Sequence, residues 1–247
     1  KDSRLFYNVV GQNGLNNKQG NSISREHGTH VAGTMAADGV NDKGINGVYP
    51  YGAGRLYGVA GGTCLISENG DFWLSSMMQK ISYAELILRN IKVINQSQGF
   101  KWYQFYDRDK NGDFKLTSSY AVSLRSRYQT LDELYRGFEN NDSFISMMRT
   151  EASKYADFLN RTLELGYDFV IVSAAGNDSG REAEYGSYNN LISRGSSYSD
   201  VYDRIIVVGS IERTFIGGSN NKTEPFDRFV LSSFSDIGER VDVYAPG

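Results

Sequence analysis

Three groups of residues in this chain have the types and spacing to do chemistry. The first is Glu26-His27-Gly28-Thr29-His30-Val31-Ala32-Gly33-Thr34-Met35-Ala36-Ala37, which holds both histidines of the sequence. Two imidazoles three residues apart could bind zinc or move protons. Zinc is disfavoured: there is no third histidine, Cys64 is the only cysteine, and Glu26 beside the pair lacks the spacing of a zinc-peptidase helix. A Cys64–His27 pair is equally weak, because Gly61-Gly62-Thr63-Cys64-Leu65-Ile66 suits a small buried hydrophobe at the end of a strand. The residues alone leave His27 as a proton acceptor or as a packing and capping residue of a helix. The second group is Ser173-Ala174-Ala175-Gly176-Asn177, small residues closing an apolar run; in isolation Asn177-Asp178 reads as a turn, with asparagine tolerating a left-handed conformation. The third is Asp107-Arg108-Asp109-Lys110-Asn111-Gly112-Asp113-Phe114. Oxygen side chains at its first, third and fifth positions, glycine at the sixth and an apolar eighth fit a calcium loop held by Asp107, Asp109, Asn111 and Asp113. Ser118 stands where a bidentate glutamate would close the loop, and the competing reading is a polar Asn-Gly turn.

These groups need a scaffold, and the apolar pattern supplies one. Lys92–Asn95, Asp168–Ser173 and Arg204–Gly209 are short runs rich in β-branched residues, expected to be strands apolar on both faces. Ahead of the first, Trp73, Leu74, Met77, Met78, Ile81, Ala84 and Leu88 recur at helical intervals. Ahead of the second, Ile145, Met148, Ala152, Tyr155, Leu159 and Leu163 form another stripe, which Gly166 can end as a left-handed cap. Alternating helices and non-amphipathic strands predict an α/β domain: a three-layer, mainly parallel sheet with helices on both faces. Residues 100–142 break this rhythm and read as an insertion, with a capping box at Thr130-Leu131-Asp132-Glu133 and Gly137 placed to close the short helix. Residues 177–203, rich in Gly, Ser, Asn and Tyr, read as a long surface loop.

Composition narrows the partners. The chain has 247 residues, 26 basic and 29 acidic, with no long run of one sign, so nothing draws it to nucleic acid or anionic lipid. No stretch approaches the roughly 20 apolar residues of a membrane span. With one cysteine an internal disulfide is excluded.

The His27 run resembles the signature around the catalytic histidine of the subtilisin-like serine peptidases. Three further segments resemble that family in the same order: Val93-Ile94-Asn95-Gln96-Ser97-Gln98-Gly99, Ser173-Ala174-Ala175-Gly176-Asn177, and Ser232-Ser233-Phe234-Ser235 followed by Val241-Asp242-Val243-Tyr244-Ala245-Pro246-Gly247. Nearly the whole chain is covered, the insertion excepted. The resemblance implies that His27 is the general base, at a helix start whose free N–H groups favour the neutral ring, and that His30 is structural. It implies that Asn177 donates to the oxyanion, that Ser97, Gln98 and Gly99 bind an extended substrate as an added strand, and that Ala174, Ala175 and Gly176 wall a side-chain pocket. It implies a polypeptide substrate, no cofactor for catalysis, and an extracellular or cell-envelope location. Asp38 to Gly47 is similar to a calcium-holding loop of the family, with one residue extra.

The chain also departs from the family. An apolar first strand ending in Asp-Ser/Thr-Gly is lacking, since Lys1 precedes Asp2-Ser3, and Lys1 to Tyr7 reads as chain just beyond that aspartate. No Gly-Thr-Ser-Met-Ala-like segment carries a nucleophilic serine. The expectation is the central part of a peptidase domain, truncated at both ends and inactive alone, its core completed by the missing flanking segments or by a second copy. The rival expectation is a noncatalytic peptide-binding or scaffold protein on the same fold.

Overall fold

The computed structural model describes residues 6–8, 31, 34–35, 56–58, 80, 83–84, 86–97, 99, 107–108, 114–115, 130–140, 143–215 and 226–247. The chain divides into two units, residues 1–62 with 81–86, and residues 63–80 with 87–247. In the first, β1 (Phe6–Asn8) runs parallel to β2 (Leu56–Gly58), so the start of the chain contributes a strand. Val31, Thr34 and Met35 are helical, within the run expected to form a helix.

The second unit is built on a sheet of β3 (Val93–Gln96), β6 (Val170–Ala174), β7 (Ile205–Phe215), β8 (Phe226–Leu231) and β9 (Val243–Pro246). β3, β6 and β7 are neighbours in that order and parallel, as their apolar runs predict, and β9 adds in parallel to β7. Only β8 runs against the others among the described residues, paired with the outer half of β7. β7 has 11 residues, well past Gly209, where its apolar run ends. Along β6, Ile171 and Ser173 are buried while Val170, Val172 and Ala174 are half-buried, so its two faces are not equally covered. A separate hairpin pairs β4 (Asp107–Arg108) with β5 (Phe114–Lys115).

Helix α1 (Leu131–Asn140) opens with the capping box: Glu133 N–H donates to Thr130 Oγ1 at 3.1 Å, and Thr130 N–H to Glu133 Oε2 at 3.2 Å. Gly137 does not end it. The helix continues to Asn140 with Gly137 buried inside, a placement that costs roughly 1 kcal/mol against alanine and is carried by tertiary packing. Helix α2 (Ser143–Glu164) buries Met148, Ala152, Tyr155, Ala156 and Leu159 on one stripe, as the spacing predicts. Its end is a Schellman cap: Gly166 at φ 86° donates to Leu163 O at 2.8 Å, and Tyr167 donates to Thr162 O at 3.2 Å.

Two expectations need correction. In the helical stretch before β3, Trp73, Leu74, Met77, Met78 and Ile81 of the expected stripe lie outside the described residues; among the described ones Ala84 is half-buried and Leu88 is 66% exposed, while Tyr83, Leu86 and Ile87 are buried. Leu88 leaves the buried face because it abuts the turn at Asn90, φ 61°. Residues 177–203 are not a surface loop. A 3-10 turn (Ala183–Gly186) and the four-residue helix α3 (Ser199–Tyr202) lie in it, and Ala183, Tyr188, Leu191, Ile192 and Val201 belong to the core. Polar composition misleads here, since Ser187 and Asn190 find hydrogen-bond partners inside the fold.

Candidate functional site

Parallel pairing places the carboxyl ends of β3 and β6 side by side, with Gln96 opposite Ser173. The residues that follow, Ser97 and Gly99 from one strand and Ala174 to Asn177 from the other, therefore emerge along one edge of the sheet. Parallel sheets commonly build their sites there. Asn95 Nδ2 donates to Ser97 Oγ at 2.8 Å, which orients the first of these residues. Two backbone approaches fix the rest. A Cβ at Gly99 would collide with the carbonyl oxygen of Gly186, and a Cβ at Gly186 with that of Ala175. Only glycine fits at either position, and Gly186 is a site residue that sequence reading misses.

The wall Ala174-Ala175 is held from behind by one amide. Asn190 is 1% exposed, and its Nδ2 donates to Ala174 O at 3.1 Å, Ala175 O at 3.3 Å and Ala183 O at 2.8 Å. Its Oδ1 accepts from the hydroxyls of Ser173 and Ser187, each at 2.9 Å. An asparagine pair beside Tyr188, Leu191 and Ile192 was the sequence signal, because a polar residue inside an apolar cluster has to be a hydrogen-bond hub. Asn190→Ala takes the shared acceptor from two buried hydroxyls, which keep a 3.3 Å contact with each other, and loosens three carbonyls, so it should lower the unfolding free energy by about 3 kcal/mol. Denaturant unfolding checks this; a loss below about 0.5 kcal/mol would mean that the hub is dispensable.

Asn177 lies three residues beyond the end of β6 and is exposed. Its side chain makes no hydrogen bond to another described residue, and it is not left-handed: the non-glycine residues with positive φ among those described are Asn90 and Ser179. Neither turn geometry nor packing accounts for an asparagine here. Beneath it, Gly176 at φ 129° lies against Asp236 Oδ2, and a Cβ there would collide with that oxygen. Segments 176–183 and 234–237 run together: Ser179 N–H donates to Phe234 O at 3.0 Å, Gly180 N–H to Ser235 O at 2.9 Å, and Ile237 N–H to Arg181 O at 2.8 Å. Burial, then the charge of Asp178, pushes the Asp236 carboxyl up to about 7, against the pull of the Asp178 and Arg181 amides. Burial, then the Asp178 and Asp236 charges, also raises the Tyr135 phenol far above its usual range, so it stays a donor.

Over this geometry, the family model described as the subtilase family matches residues 3–247. The chain belongs to the subtilase family. Its members are serine peptidases, so polypeptides are the substrates the family acts on. No curated protein matches the chain. In this subtilase the structure brings together Ser97, Gly99, Ala174, Ala175, Gly176 and Asn177. His27, His30, Cys64, Gln98, Asp109, Asn111 and Asp113 lie outside the described residues, as does Asp38 to Gly47. Asp107 is the first residue of β4. No helix among the described residues is long and apolar enough to cross a membrane.

Proposed function

We propose that this subtilase is part of a serine endopeptidase that cleaves peptide bonds through an acyl-enzyme. His27 takes the proton of the nucleophilic serine hydroxyl as its oxygen attacks the scissile carbonyl, and then gives that proton to the leaving amine. Asn177 donates its side-chain N–H to the oxygen that becomes negative in the tetrahedral intermediate. Ser97, Gln98 and Gly99 hold the substrate backbone as an added strand, and Ala174, Ala175 and Gly176 wall the pocket for the residue before the scissile bond. The observation that carries this reading is Asn177 itself, exposed at the carboxyl end of a parallel strand with no structural task of its own. The fold proposed around it is three-layered, and the location is extracellular or in the cell envelope.

In this reading the triad aspartate and serine lie outside the motifs of this chain, and the 247 residues alone are inactive. The test is turnover of a fluorogenic peptide by the purified chain and by the full-length polypeptide, each with and without His27→Ala. Activity in the full-length protein that depends on His27 supports the reading. Peptide binding without turnover in the full-length protein would replace it with a noncatalytic binding protein on the same fold.

Calcium is proposed as a structural ion at Asp107, Asp109, Asn111 and Asp113, with no part in catalysis. Calorimetry should register binding that weakens in Asp109→Ala. No heat at millimolar calcium would leave a polar turn.

A further inference from the structure

One residue grips both peptide groups that flank Asn177, one through its backbone amide and the other through its carboxyl group. The Asp236 amide donates to Gly176 O at 3.1 Å, while Asp236 Oδ1 accepts from the amide of Asp178 at 2.9 Å and from that of Arg181 at 3.3 Å. Asp236 is 1% exposed and Asp178 6%, so these bonds are made out of water, where leaving them unmade is costly. Asp178 is held in turn: Tyr135 Oη donates to its Oδ2 at 2.9 Å. Tyr135 stands on α1, within the stretch 100–142 that interrupts the helix–strand rhythm. Arg181 closes the circle, its guanidinium 4.8 Å from the centre of the Tyr135 ring and paired with Asp132, also on α1.

We propose that Asp236 is the positioning residue of the loop that carries Asn177, and that helix α1 locks this loop through Tyr135 on Asp178. The proposal rests on reading Asn177 as the oxyanion donor. A donor accelerates acyl transfer only if it already points where the negative charge will form, and a misplacement of about 1 Å can cost about a hundredfold. Asn177, exposed and without bonds to described neighbours, has to take its position from the residues on either side. This gives residues 100–142 a task that the sequence leaves blank.

The acid form of Asp236 suits the role. Its Oδ1 still accepts the two amides, while its charge no longer opposes Asp178; the groups facing it are Asp178, Arg181 and Tyr135. Its carboxyl is raised in the fold, so its stabilisation is complete below the unfolded value near 4 and is lost as pH rises through about 7. Asp236→Asn mimics the acid form, so the stability of the wild type relative to this variant should fall between those pH values and then level off.

The decisive experiment is amide hydrogen exchange of residues 176–181 in the whole chain. Asp236→Ala should speed exchange there about tenfold or more, Asp236→Asn should stay within about threefold of wild type, and Tyr135→Phe should fall between. In the active full-length protein, Asp236→Ala should lower kcat about tenfold or more at nearly constant KM, with little further loss when Asn177→Ala is added. Unchanged exchange in Asp236→Ala, or fully additive kcat losses, would overturn the proposal. Should Asp236→Ala fail to fold, Tyr135→Phe decides, since it removes one hydroxyl and keeps the ring. A loop that responds in a protein without peptidase activity would sink the peptidase reading and keep the lock. Activity with an indifferent loop would do the reverse.

Discussion

Replacing His27 with alanine should lower kcat of the full-length peptidase by about 10⁴-fold or more and leave KM within about threefold, a pattern established on subtilisins. In the proposed mechanism the imidazole removes a proton from an alcohol that is almost wholly protonated at neutral pH. His30 is the only other histidine in the sequence. In the same mechanism the substrate is held by Ser97, Gln98 and Gly99 and by the wall Ala174 to Gly176, so the loss falls in the chemical step. What remains is the contribution of substrate binding and the oxyanion donor, so a small residual rate is part of the expectation. Steady-state kinetics on a peptide substrate, with His30→Ala as the comparison, tests this. Ordinary turnover in His27→Ala would remove the general-base assignment.

The parts of the fold legible in the sequence are those where one local force dominates. β3, β6 and β7 follow from β-branched runs that favour extended backbone and bury Ile94, Ile171, Ile205 and Val207, and the Schellman cap at Gly166 follows from a glycine at the end of an apolar stripe. The capping box at Thr130 is likewise complete within four residues. Where tertiary contacts decide, the sequence misleads. Gly137 has the propensity of a helix end, yet a buried face carries the helix through it. Residues 183–192 have the composition of a surface loop, yet Asn190 satisfies enough polar groups at once to let the segment enter the core. The site divides in the same way. Ala174 to Asn177 stand out as a motif, whereas Asp236 and Tyr135 lie 59 and 42 residues from Asn177, and neither spacing nor residue type points back to it.

Asn177→Ala should lower kcat about 10²- to 10³-fold with KM nearly unchanged, the magnitude known for the oxyanion asparagine of a subtilisin. The ground-state carbonyl carries only a partial charge and forms a weak bond to an amide N–H, whereas the tetrahedral oxyanion carries a full one. The bond is therefore strengthened as the barrier is climbed, and its loss appears in kcat. Asn177 is exposed, so truncating it should cost little stability, and the variant's unfolding midpoint should match the wild type. This separates it from Asn190→Ala, which acts through the fold. Asn177→Asp sharpens the test further, since a carboxylate of nearly the same shape offers no donor and places negative charge beside the developing oxyanion. Aspartate should therefore be worse than alanine, although it fills the space better. If both variants kept wild-type kcat, or if aspartate outperformed alanine at neutral pH, Asn177 would be a spectator and the oxyanion would have to be stabilised by backbone amides alone.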